Sequence, residues 1–267
     1  MTVRTKKAAG NKQRRNDVAS AAVRAARIDL AAAFRWAARL GLHEGICNHF
    51  SLAAPGCEDR YLINPQGRHW SEMRARDLLV IDGEGKVIEG EGEVEATAYF
   101  IHTRIHRARS HARCVLHTHM PTATALTMIE GGRLEPCVQS ALRFYGDIAY
   151  DDESVPGGGY RGLALDTAEG DRMARQLGEK RVLFLANHGV IVVGTDLSSA
   201  FDDLYYLERA AAAQVLAMST GRELRLVGDN LARATAAQIM ADRPLYARLH
   251  FASLKRILDR DAPEYRR

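Results

Sequence analysis

Two apolar runs constrain this chain more than any other feature. CVLHTH at 114–119 is short, bounded and rich in β-formers, and FLANHGVIVVG at 184–194 reads as two strongly apolar strands joined by an Asn-His-Gly turn. Around them the pattern alternates. An alanine-rich amphipathic helix is expected over 18–40, ended by Gly41, with short strands at 46–52 and 60–64. A hairpin follows over 78–88, then a helix over 94–109 whose apolar residues recur at three and four places. Pro121 opens another helix, 146–162 reads as a Gly-, Pro- and Asp-rich loop, and helices are expected around 167–177 and over 196–218. Strands separated by helices, without a linker or repeat, imply one α/β domain over 18–267, its central sheet covered by helices.

Composition narrows the classes. At 46% hydrophobic and 26% charged the chain has an ordinary globular balance, and no apolar run approaches the roughly 20 residues a membrane span needs. The start of the sequence shows no apolar secretory stretch, so a cytoplasmic, membrane-free protein is expected. The net charge of +4 invites a nucleic-acid reading, but six basic side chains against one acid fall in residues 1–17, leaving −1 on the other 250. That segment reads as a disordered basic tail, and no nucleic-acid partner is expected. Cys47, Cys57, Cys114 and Cys137 form no Cys-x-x-Cys pair, which argues against a disulfide scaffold or a cysteine-ligated zinc.

His117 and His119 stand two apart on an apolar strand, so both imidazoles point to one side and can share an ion. His188 sits in the Asn187-His188-Gly189 turn, where glycine permits a bend that aims the ring out of the sheet. Three histidines with an open fourth position are the ligand set of a catalytic metal, a Lewis acid for a carbonyl or enolate oxygen.

With these residues in view, the chain resembles the class II aldolase/adducin family. The matching pieces are NHFS at 48–51, NPQG at 64–67, HTH at 117–119, NHG at 187–189 and YYLERAAAAQ at 205–214, in the family's order. The resemblance implies a three-layer α/β/α sandwich and a divalent metal on His117, His119 and His188, zinc first with manganese or iron as alternatives. It also implies a homotetramer with active sites between subunits.

The pattern also departs from the family. Sugar-phosphate aldolases in it carry a catalytic glutamate four residues before the helix histidine corresponding to His102, and here that position is Ala98. Glu95 lies about one turn earlier on roughly the same face, as a candidate acid/base or as a charge favoured at a helix N-terminus. The family's paired serines are missing from EGEVEATAYF, and Glu91 and Glu93 would repel a phosphate, which favours a small carboxylate-bearing substrate. Asn48, His49, Ser51 and Gly67 occupy the other positions resembling the ligand pocket, and read equally as a strand-end and turn network. Tyr205 and Tyr206 are candidates to reach a neighbouring subunit's site, with burial as the alternative. His102 and His106 read as core or hydrogen-bonding histidines. The implied activity is a metal-dependent carbon–carbon lyase of aldolase or decarboxylase type. An iron-dependent oxidative decarboxylase and a non-catalytic adducin-like binding protein are the rivals.

Overall fold

A computed structural model describes residues 4–57 and 59–267, with side chains from Ala21 onward. The basic arm expected at 1–17 lies outside the residues whose side chains are described. Eight strands form one sheet in the order β4-β3-β2-β1-β5-β8-β7-β6: β1 (His49–Ala53), β2 (Arg60–Ile63), β3 (Leu79–Asp82), β4 (Val87–Glu89), β5 (Cys114–Thr118), β6 (Ile148–Asp151), β7 (Val182–Leu185) and β8 (Gly189–Gly194). Every neighbouring pair is antiparallel except β6 with β7.

Side-chain alternation sorts the strands onto two cores. Leu116, Val190 and Val192 face a layer built by α1 (Arg4–Arg39), α3 (Pro121–Thr127), α6 (Leu197–Met218) and α7 (Asp229–Asp261), where Phe34, Phe201 and Phe251 are buried. Val115, Ile191 and Val193 face the opposite layer of α2 (Ala96–Ala108) and α5 (Thr167–Leu177), against Ile101, Ile105, Met173 and Leu177. The fold is the expected three-layer α/β/α arrangement. Several elements depart from the sequence reading. Helix α1 begins at Arg4, inside the arm read as disordered, and α7 over Asp229–Asp261 was not expected. The segment 146–162 is not all loop, because Ile148–Asp151 pairs in parallel with Val182–Leu185 as the sheet's edge. A short helix, α4 (Gln139–Leu142), precedes it.

The layer that covers the site is set by one close approach. A Cβ on Gly170 of α5 would fall 2.0 Å from the carbonyl oxygen of Phe100 on α2, so only glycine lets these two helices touch there. Gly170→Ala is expected to destabilise the protein by about 1–3 kcal/mol through overpacking, read as a lowered denaturant midpoint with an unchanged slope.

Candidate metal centre

The three histidines converge. His117 is buried near the end of β5, and its Nδ1 donates to the carbonyl of Val190 at 3.0 Å. His119, just beyond the strand, donates through Nδ1 to the carboxylate of Glu44. These bonds leave Nε2 of both rings as the donor atom for an ion, the arrangement typical of metal-bound histidines. Nε2 of His119 is buried without a partner. His188 comes from the turn between β7 and β8, where Asn187 takes the left-handed conformation (φ 54°) and its N–H donates to Thr127 at 3.1 Å. The ring centroids lie 5.1, 4.8 and 4.8 Å apart, and the three candidate ligand atoms fall within 4.8 Å of one another.

Gly189 makes this approach possible. A Cβ there would stand 2.6 Å from the carbonyl oxygen of Thr118 and 2.8 Å from Cδ2 of His119. Burial, reinforced by the neighbouring imidazoles, holds His117 well below the usual histidine range and brings His188 down to about 4. Neutral imidazoles with free lone pairs are what a divalent ion requires, so the residues present fit one.

These rings open onto a cavity of about 340 Å³ shared with Glu95, Gln66, Cys47 and Leu163. Glu95 caps α2, accepting from the Ala98 N–H at 3.1 Å and from the Thr97 hydroxyl through Oε2. That same oxygen lies 3.4 Å from Nε2 of His49, while Oε1 has no hydrogen bond among the described residues. Glu95 therefore caps the helix and also lines the cavity.

The other candidates divide. His49 is buried behind the cavity, paired across the sheet with His117, and burial brings its pKa to about 4. Asn48 is also buried. Its side-chain oxygen accepts from the N–H groups of Glu44 at 2.7 Å and His119 at 3.3 Å, so it braces two segments of the site from behind. Gly67 supplies a left-handed turn (φ 81°) beside Gln66, and it is Gln66 that lines the cavity. Ser51 does not reach the cavity, because its hydroxyl is held between His102 and His106. Tyr205 and Tyr206 are absent from the cavity lining and pack with His250 of α7. Sequence reasoning missed Gln66, Cys47 and Leu163, although Gln66 lies within the NPQG segment and Cys47 adjoins NHFS.

The profile of the Class II Aldolase and Adducin N-terminal domain matches residues 28–215. The chain belongs to the class II aldolase and adducin family. A Caulobacter vibrioides protein named for the class 2 aldolases is 35% identical over 242 residues, spanning 90% of this chain and 91% of its own. The decarboxylase NovR of Streptomyces niveus is 31% identical, over 85% of this chain and 83% of its own. The crystal structure of an aldolase II superfamily protein from Pseudomonas syringae superposes with a TM-score of 0.84 at 33% identity, covering 92% and 96% of the two chains.

Two outcomes follow from this geometry. Gly189→Ala is expected to push the β5 end away from the turn and lower bound metal, measured by metal analysis of folded protein. In metal-free protein, His49, His106 and His188 fall from 6.5 to about 4 on folding. The unfolded chain then binds more protons between those values, so stability is full above about pH 6.5 and is lost as pH falls toward 4. Denaturant melts across that range will measure it.

Proposed function

We propose that the protein is a metal-dependent carbon–carbon lyase, of the aldolase or decarboxylase type, acting on a small oxygenated substrate that bears a carboxylate. The observation that carries this reading is one cavity of about 340 Å³ onto which three imidazoles and the Glu95 carboxylate open together. His117, His119 and His188 would hold a divalent ion, zinc first, with manganese or iron also accommodated by three imidazoles. Such an ion supplies Lewis acidity at a substrate oxygen, stabilising the charge left when the carbon–carbon bond breaks.

The chain's own groups do the rest. The Val190 carbonyl and Glu44 fix the orientation of two ligand rings. Oε1 of Glu95, left open by a cap made through Oε2, takes and returns the proton at the reacting carbon. Ile46, Ile101 and Leu163 give the cavity an apolar wall. No lysine or arginine lines it among the described residues, so a phosphate dianion would find no side-chain counter-charge there, whereas a single carboxylate is within the reach of one divalent ion. The likeness to a protein named as a decarboxylase supports the same chemistry. A homotetramer acting in the cytoplasm completes the reading. Tyr205 and Tyr206, which pack away from this chain's cavity, would serve a neighbour's site.

Purified protein is expected to hold about one divalent ion per chain, and His117→Ala or His188→Ala to lose it. Glu95→Gln is expected to keep the ion while kcat falls by about 10²–10⁴-fold, read as carbonyl or carbon dioxide release from a panel of hydroxy- and oxo-acids. Oxygen uptake dependent on iron would replace the lyase with an oxygenase. A folded protein that cannot be loaded with metal would indicate an adducin-like binding role.

A further inference from the structure

His49 and Ser51 lie two apart on β1 and point to the side of the sheet covered by α2. There the Ser51 hydroxyl oxygen is 2.6 Å from Nδ1 of His102 and 2.7 Å from Nε2 of His106. Nδ1 of His106 is 2.6 Å from the carbonyl oxygen of Ala112. A carbonyl only accepts, so Nδ1 of His106 carries that ring's proton. Burial lowers both histidines, His106 to about 4, so each ring is neutral and holds one proton. Nε2 of His106 is then a lone pair, and Ser51 donates its single hydrogen to it. The serine oxygen in turn accepts, which requires His102 to be protonated at Nδ1.

One backbone carbonyl thus dictates the tautomer of a ring three hydrogen bonds away. Its consequence is a bare acceptor. Nε2 of His102 is fully buried, has no partner, and belongs to a ring packed edge-on against His49 with centroids 5.9 Å apart. Nε2 of His49 stands 3.4 Å from Oε2 of Glu95, outside hydrogen-bond geometry; two opposed lone pairs there would repel, so that nitrogen bears the hydrogen and attracts the carboxylate through charge alone.

We propose that Ser51, His102 and His106 are positioning residues: their carbonyl-anchored chain turns a lone pair of His102 on His49 and selects the His49 orientation whose N–H steadies Glu95. The positioning role rests on reading Glu95 as the proton-transfer group. The tautomer lock does not.

The test is long-range proton–nitrogen NMR of the full chain labelled with nitrogen-15 histidine, metal-free and zinc-loaded, at neutral pH. His102 and His106 are expected as neutral Nδ1–H tautomers in both samples, with the proton of His49 on Nε2. A proton on Nε2 of His102 or His106, or an imidazolium at either, overturns the lock without any variant. Ser51→Ala is expected to release His102 into mixed tautomers and lower kcat about tenfold or more with KM and metal content unchanged, and Ser51→Thr, which keeps the hydroxyl, to restore both. Full kcat in a folded Ser51→Ala whose His102 tautomer has changed overturns the positioning role. Full activity in Glu95→Gln with the expected tautomers removes the proton-transfer reading and that role with it, while the lock stands.

Discussion

Strand β5 is bonded to β1 on one side and β8 on the other, and its alternation decides what each face of the molecule can be. Cys114 and Leu116 enter the core beneath α1 and α6, while Val115 turns to the α2 and α5 side with His117 beyond it. A slip of one residue would exchange these sets, putting an imidazole into the larger apolar core and a leucine at the site. Such a slip is disfavoured twice over, because both faces are packed and because the cross-strand partners are themselves specific: His49 opposes His117 on one side, and Ile191 does so on the other. The histidine cluster is a by-product of that register. The strand delivers one ring, its continuation delivers another, and the neighbouring hairpin needs only a glycine to bring the third.

Behind this layer the helices are tied by buried charge. Asp203 on α6 is enclosed by Arg143, Arg181 and Arg243, with Arg243 at 2.5 Å and Arg143 at 3.2 Å, and Asp202 beside it joins Arg143 at 2.6 Å and His250 at 2.7 Å. Such clusters add little net stability over apolar packing, yet loss of one partner is costly because it strands a charge. They fix geometry. The segments carrying Arg143, Arg181 and Arg243 are held to one point on α6, which backs β5 and β8. Tyr205 and Tyr206 follow the same aspartates along α6, which explains why they pack against α7 and not into this chain's metal cavity.

What could be read from the residues was whatever had a local cause. His117, His119 and His188 announce themselves through strand spacing and a glycine turn, and α2, α5 and α6 through periodicity and caps, whereas the long α7, with Pro244 inside it, was not read. The edge strand Ile148–Asp151 was illegible because four residues next to glycine-rich sequence carry no period; its pairing with β7 decides it. Gln66 and Leu163 were illegible for a related reason, since only the tertiary arrangement sets turn residues against a cavity wall. Ser51 shows the limit of motif reasoning. The NHFS segment sits at the site and alternation turns its serine to the same side of the sheet as His117, but Ser51 stands opposite Val115, two residues further along the strand, where two histidines of α2 take both sides of the hydroxyl.

The proposed use of Glu95 in place of a glutamate at position 98 has a physical logic of its own. Ala98, where sugar-phosphate members of the family carry glutamate, is fully buried against Tyr61, Ile63, Leu79 and Ile81. A carboxylate placed there would be desolvated among apolar side chains, and would be driven toward its neutral form. At the helix cap the environment is reversed. The first-turn N–H of Ala98 and the hydroxyl of Thr97 both donate to one oxygen, and the side chain lines the cavity. Moving the acid three residues earlier therefore exchanges a buried position for a capped one. The groups that hold the carboxylate are the Ala98 N–H and the Thr97 hydroxyl, both in the first turn of α2, so its placement follows that of the helix.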